Sequence, residues 1–429
     1  MRIEVPDLAL VVLVGAAGSG KSTFARKHFL ASEILAAEQV RSMVADHARD
    51  PEAWEEATRA LLYLTERRLQ RGLFTVVDAS NVKARNRRPL LEIAKHHHVT
   101  PVAVVFRLPV DECQKNAACA DPPISPWLVA DECQQLEETV GGLAREGFGN
   151  YVFELQSNEE ASEAWFERHP LRCDRRSERG PFDIIGDIHG CYDELRELVD
   201  RLGYRVTMLD GEPPDPVEHL IEPPEGRKLV FLGDLADRGP KTPDVLRFVI
   251  DAVECGAALA VPGNHDERLL KWLRGRKMEL NHGLRESAQQ LAPATAAFRR
   301  EVEVFLEALV SHLVLDGGAL VVAHAGMKQE LQGRSSGAVR AFALYGESTG
   351  EVDQFGLPIR YPWAEQYQGR AMVVYGHTPM REPEWVNRTI NVDTGCVFGG
   401  KLTALRYPEL DLISVPAAKV YMPSPRPLA

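Results

Sequence analysis

At 429 residues the chain is too long for one small module, and its length favours two or three domains. Its 45% hydrophobic and 26% charged residues, with a mean hydropathy of -0.22, exclude a disordered or fibrous chain. The 50 Lys and Arg against 62 Asp and Glu leave a net charge of -12, which excludes a generally cationic surface; any nucleic-acid contact would use local basic grooves.

The first apolar stretch, Leu8 to Val14, follows acidic residues and runs into a glycine-rich loop, so it reads as a buried strand rather than a signal peptide. A helix from about Gly20 follows, then a helix from Glu52 to Arg71, a strand from Phe74 to Val77, a helical stretch to His98 and a strand from Val102 to Phe106. This alternation predicts an α/β fold, a parallel sheet with flanking helices. His96, His97 and His98 read as an exposed helix end, because adjacent helical positions do not converge on one ion.

The charged, Gly-Pro-closed stretch RHPLRCDRRSERGP marks a boundary, giving residues 1–168 as a first domain, 169–181 as a linker and 182–429 as a second domain. In the second domain strands are expected at Phe182 to Gly186, Lys228 to Gly233, Ala257 to Val261, Leu313 to Ala323 and Met372 to Tyr375. Each ends in a polar cluster, where α/β folds build active sites. Asp210 to Arg227 is Pro- and acid-rich and reads as a surface loop; Asp266 to Ser311 reads as helical throughout. The seven cysteines form no CxxC pair, which suits reduced thiols in the cytoplasm, and no run of about 18 apolar residues predicts a membrane span.

Gly15 to Ser22 spells GAAGSGKS, a full G-x-x-x-x-G-K-[ST] motif between a strand and a helix. Backbone N–H groups around Gly15, Gly18, Ser19, Gly20 and Thr23 would cradle the phosphates of ATP. Lys21 would reach the β/γ-phosphates and Ser22 would hold Mg²⁺. The acceptor side is read from Glu38, a carboxylate able to take a hydroxyl proton, and Arg41, able to steady phosphate charge; a solvated helix face explains both equally well. Asp78, Ser80 and Asn81 end a strand near this loop, and Lys83, Arg85, Arg87 and Arg88 form the one dense basic patch, a footprint for a polyanion or again a solvated face.

The second domain carries Asp187 and His189 in GDIHG, Asp234 and Arg238 in GDLADRG, Asn264 and His265 in GNHD, His324 in AHAG and His377 in GHTP. Hard and borderline ligands in this set describe a two-metal phosphoesterase, with one carboxylate bridging the ions. Asp187, His189 and Asp234 are assigned to one metal, and Asp234, Asn264, His324 and His377 to the other. His265 is left free to protonate a leaving oxygen, Arg238 to grip phosphate, and Asp393 to orient a histidine ligand.

With both sites in view, the chain resembles the bacterial polynucleotide kinase-phosphatase family over nearly its whole length, through GAAGSGKS, Glu38 and Arg41, DASNV, GDIHGCYDEL, GDLADRGP, GNHD, AHAG, GHTP and VDTGCVFGG. The resemblance implies a P-loop kinase followed by a calcineurin-like αββα sandwich. It also implies ATP with Mg²⁺ at the first site and two divalent ions, Mn²⁺ or Ni²⁺, at the second. The implied activity is RNA repair: a kinase that phosphorylates 5′-OH ends of RNA, or DNA, and a phosphatase that clears 2′-, 3′- or cyclic phosphates. Three departures stand out. Glu38 replaces the family's usual Asp, QKNAACADPPISPW replaces an arginine-bearing lid and has only Lys115 as a base, and no ligase module follows, so a separate RNA ligase is the expected partner. The oligomeric state stays open, a homodimer being one option. The rival reading is a metallophosphatase of the diadenosine-tetraphosphatase or protein-phosphatase type carrying a degenerate nucleotide-binding domain.

Overall fold

The computed structural model describes residues 1–45, 53–120, 123–209 and 213–424. The chain divides into two units, Met1–Leu171 with Arg334–Ser336, and Arg172–Gly333 with Gly337–Ala429.

The first unit is built on a parallel five-stranded sheet in the order Ile34–Ala36, Thr75–Asp78, Ala9–Gly15, Thr100–Phe106, Val152–Leu155. The central strand ALVVLVG is buried at every position, as a parallel strand covered on both faces must be. The helices Lys21–His28, Trp54–Gln70, Ala84–His96 and Pro126–Thr139 flank the sheet sequence, and their apolar residues fill two clusters, one on each side of it. Parallel register places Gly15 opposite Phe106 and Leu13 opposite Asp78, so the phosphate loop and Asp78 share the carboxyl edge of the sheet.

The second unit contains two five-stranded sheets. One runs Ala258–Ala260, Lys228–Phe231, Phe182–Ile185, Lys401–Tyr407, Asp411–Pro416; the other runs Leu313–Leu315, Leu320–Val322, Met372–Tyr375, Thr389–Asn391, Glu384–Val386. Phe182, Ile184 and Val230 of the first pack against Leu315, Val322, Val374 and Ile390 of the second, a dry face-to-face core. The outer face of the first sheet is covered by helices that include Tyr192–Arg201 and Thr242–Glu254, and that of the second by Gly337–Tyr345 and Trp363–Gln366. This is the expected α/β sandwich of layers.

Several boundaries differ from the sequence reading for local reasons. Leu313 to Ala323 is an antiparallel hairpin, Leu313–Leu315 and Leu320–Val322, broken where Gly317 and Gly318 take positive φ. Asp266 to Ser311 divides into helices Asn264–Leu273, Leu284–Leu291 and Ala296–Ala308, interrupted around Gly275, Gly283 and Pro293. The acid-rich loop contains a strand, His219–Glu222, paired with Arg205–Met208; residues 210–212 of that loop lie outside the described residues. The segment taken as a linker is ordered by backbone pairing: Val314 N–H donates to Cys173 O at 2.9 Å and Arg175 N–H to Val314 O at 2.9 Å. The triple histidine ends its helix at His96, with His97 and His98 half-buried rather than exposed. Among the described residues no helix is long and apolar enough to cross a membrane.

Candidate functional site

In the second unit the loops that follow Phe182–Ile185, Lys228–Phe231, Ala258–Ala260, Leu320–Val322 and Met372–Tyr375 bring Asp187, His189, Asp234, Asn264, His324 and His377 together. Asp234 stands at the centre: its Oδ2 is 3.4 Å from His189 Nε2 and its Oδ1 3.5 Å from His324 Nε2. His324 Nε2 also faces Asn264 Oδ1 at 3.1 Å and His377 Nδ1 at 3.0 Å. The other ring nitrogens are held by backbone: His189 Nδ1 donates to Ala236 O at 2.8 Å and His324 Nδ1 to Leu232 O at 3.1 Å. Those bonds fix the tautomer in which Nε2 offers a lone pair. His377 N–H lies 3.2 Å from both oxygens of Asp187, and a Cβ on Gly376 would come within 2.2 Å of Asp187 Oδ1, so only glycine permits that approach.

The electrostatics show what this arrangement needs. Burial holds the His189 and His377 imidazoles well below their usual pKa and pulls His324 down to about 3. Burial, with Asp393 and Asp234 alongside, drives the Asp187 carboxyl upward, and Asp234 rises chiefly through burial. Neutral imidazoles are the ligating form, and crowded buried carboxylates are stabilised by positive charge. The nitrogen and oxygen lone pairs that converge on His324 Nε2 therefore fit a divalent cation, and so does the mixed N/O donor set. Backbone strain concentrates here too: His189, Asp234, Asp237, Arg238 and His377 all have positive φ, between 47° and 74°.

His265 borders this cluster, its backbone N–H donating to Asp234 Oδ1 at 2.9 Å, but its ring is bonded elsewhere. Its Nδ1 donates to Asp237 Oδ2 at 2.7 Å, and its Nε2 accepts from Arg238 Nη2 at 2.8 Å. Asp237 is fixed in turn by Ser287, whose hydroxyl donates to Oδ1 at 2.7 Å. Arg238 Nη1 donates to His189 Nε2 at 2.6 Å, so the guanidinium caps the mouth of the centre. Asp237 and Asp266 were missed from sequence, although both stand inside the quoted GDLADRG and GNHD. Asp266 ties the two loops, accepting from Leu235 N–H at 3.0 Å and Gly263 N–H at 2.8 Å. Asp393 departs from its expected part. It accepts from Gly395 N–H at 3.0 Å and faces Asp187, and among the described residues no histidine ring is bonded to it.

In the first unit Gly18 and Gly20 take positive φ, and Lys21 is nearly buried, its Nζ donating to Gly15 O at 2.8 Å and Ala16 O at 2.7 Å. Burial lowers the Lys21 pKa, opposed by the charges of Asp78, Glu132 and Glu38. Asp78 is pushed upward by burial, against a hydrogen bond from Ser22 and the charge of Lys21. Ser19 is buried, whereas Thr23 is exposed on the first turn of the helix. Glu38 is exposed in the first turn of Ala37–Ala45, and the Arg41 guanidinium lies 4.1 Å from the centre of the Trp54 ring, a neighbour the sequence reading missed. The stretch replacing the arginine-bearing lid breaks into two helices, Val110–Ala118 and Pro126–Thr139; residues 121–122 lie outside the described residues.

The basic patch is smaller than expected, because Arg87 is fully buried. It donates to Asn81 O at 2.7 Å and Val82 O at 2.9 Å and forms a bidentate pair with Glu146 at 2.6 and 2.8 Å. It braces the turn after Asp78 rather than meeting solvent. Glu146→Ala would strand that charge, and a loss of about 3 kcal/mol in urea unfolding is expected; a loss under about 1 kcal/mol would show that the two carbonyls suffice.

Comparison with known proteins divides the chain in the same way. An AAA domain family model matches residues 10–119, and a calcineurin-like phosphoesterase model matches residues 180–413, more than half of the chain. The asymmetrical bis(5′-nucleosyl)-tetraphosphatase PrpE of Bacillus subtilis (strain 168) is 48% identical over 244 residues, 56% of this chain and 96% of that protein. Its counterpart in Anoxybacillus flavithermus (strain DSM 21510 / WK1) is 44% identical over 245 residues, again 56% and 96%. Among solved structures, a chain of the Pnkp1/Rnl/Hen1 RNA repair complex is similar with a TM-score of 0.29 at 19% identity, covering 61% of this chain and 81% of that one.

Proposed function

Because the chain belongs to the calcineurin-like phosphoesterase family, we propose that its second unit strips phosphates from the 2′ or 3′ ends of RNA while its first unit phosphorylates 5′-hydroxyl ends from ATP. The observation that carries the reading is the Asp237–His265–Arg238 arrangement beside the metal-ligand cluster. A ribose oxygen leaves as an alkoxide, which needs a proton, and a carboxylate-backed imidazole held next to a phosphate-gripping arginine is suited to give one. Asp187, His189 and Asp234 would hold one divalent ion, and Asp234, Asn264, His324 and His377 the other. When bound, the ions supply Lewis-acid charge and an activated water. Arg238 would turn from His189 and His265 to the phosphate oxygens, freeing His265 Nε2 to take up a proton from solvent and pass it to the leaving oxygen.

At the first site Lys21 would stabilise the transferring phosphoryl group, Ser22 and Asp78 would hold Mg²⁺, and Glu38 would take the proton of the 5′-hydroxyl with Arg41 steadying the acceptor phosphate. A ligase would then join the healed ends. The second reading, favoured by the 48% identity to the asymmetrical tetraphosphatase over 96% of its length, is cleavage of dinucleoside tetraphosphates at the metal site. One set of assays separates them. Labelled RNA with 5′-hydroxyl and 3′-phosphate ends should gain the first phosphate and lose the second; rapid cleavage of diadenosine tetraphosphate with untouched RNA ends would replace the end-healing reading by the tetraphosphatase one.

A further inference from the structure

The phosphate loop of the first unit already has an anion on it, one supplied by the chain itself. The helix Pro126–Thr139 carries Glu132 to the loop, where its Oε2 accepts the backbone N–H of Ala17 at 2.7 Å. Ala17 is the third residue of GAAGSGKS, and loop N–H groups of this kind are the donors that cradle phosphate. The contact is close-fitting. Asn116, from the neighbouring helix Val110–Ala118, donates its Nδ2 hydrogen to Gly18 O at 2.9 Å, and a Cβ on Gly18 would lie 2.1 Å from Cys113 O. Lys21, the side chain that would meet the phosphates, turns its Nζ to the Gly15 and Ala16 carbonyls instead. After Asp78, Glu132 is the carboxylate whose charge acts most strongly on Lys21.

Resting on the reading that this loop binds ATP, we propose that Glu132 is a built-in competitor for the nucleotide: its carboxylate must leave the Ala17 N–H before a triphosphate can be seated, and it thereby sets the affinity of the first unit for nucleotide. One N–H cannot serve a carboxylate and a phosphate oxygen at once, and two anions beside the same buried lysine repel.

Glu132→Gln separates the charge from the contact, because the amide oxygen can still accept the Ala17 N–H while the negative charge is gone. Calorimetric titration of the full chain with ATP and Mg²⁺ is expected to show roughly five- to tenfold tighter binding for Glu132→Gln than for wild type, with Glu132→Ala similar. A thermal melt of each variant checks that the fold persists. Unchanged or weaker binding by Glu132→Gln, with wild type binding ATP measurably, would overturn the proposal and make Glu132 a simple tether of the loop. Failure of wild type, Glu132→Gln and Glu132→Ala alike to bind would instead overturn the reading of the loop as an ATP site, and the proposal with it. Binding by Glu132→Gln alone would support it.

Discussion

Lys21→Ala and Asp234→Ala are expected to abolish opposite activities and leave each other's untouched. Lys21 is buried in the phosphate loop and Asp234 is the carboxylate between His189 and His324, and the two residues belong to separate units that share no site residue. Removing Lys21 takes away the cation proposed to meet the transferring phosphoryl group, so transfer to 5′-hydroxyl RNA should fall by about 10²-fold or more while phosphatase turnover holds near wild type. Removing Asp234 deletes the bridge between the proposed ions. Phosphatase activity on every ester should then fall by at least about 10³-fold, as expected for loss of a metal centre supplying several kcal/mol of charge stabilisation, and elemental analysis should show depleted metal. Loss of both activities in a folded Lys21→Ala protein would mean that one site performs both reactions. Full metal content in Asp234→Ala would remove Asp234 from the bridging role.

What could be read from the sequence follows from how local each signal is. The phosphate loop and the strand-end clusters GDIHG, GDLADRG, GNHD, AHAG and GHTP are short and carry their chemistry with their spacing, and the fold gathers them where strand ends meet. Asp237 stands within GDLADRG, but nothing in that motif separates a metal ligand from the partner of another side chain; its partner is an imidazole, not an ion. Glu132 had no signal at all, since it meets Ala17 across 115 residues of chain. Arg87 misled in the other direction. Composition places it with Lys83, Arg85 and Arg88, but its guanidinium is fully buried among two carbonyls and a carboxylate, a fate no charge count can separate from exposure. The hairpin at Leu313–Val322 and the three-part helical segment were misjudged because apolar runs reveal burial more surely than direction, and the turns rest on single glycines whose φ is a tertiary outcome.

The same distinction between ligand and partner decides what His265→Ala should do. Its ring, with His189 and Asp234, places donor atoms within 4.8 Å of one another, so proximity alone would allow it to be a metal ligand. The bonding says otherwise, since Nδ1 is committed to Asp237 at 2.7 Å and Nε2 to Arg238 at 2.8 Å, while Asn264 already turns its oxygen to His324 from the same loop. A proton donor matters in proportion to how badly the leaving group needs a proton. Ribose 2′- and 3′-phosphates release an alkoxide, whereas a nitrophenyl phosphate releases a stable phenolate. His265→Ala should therefore lose about 10²-fold or more on ribonucleoside phosphates, the size of a lost general acid, and keep most of its activity on the nitrophenyl ester and all of its metal. Asp237→Asn should show the same substrate bias in milder form, because the amide oxygen can still accept the Nδ1 hydrogen of His265 but brings no negative charge to the ring. Equal losses on both esters, with metal depleted in elemental analysis, would make His265 a ligand and would move the proton donor elsewhere in the site.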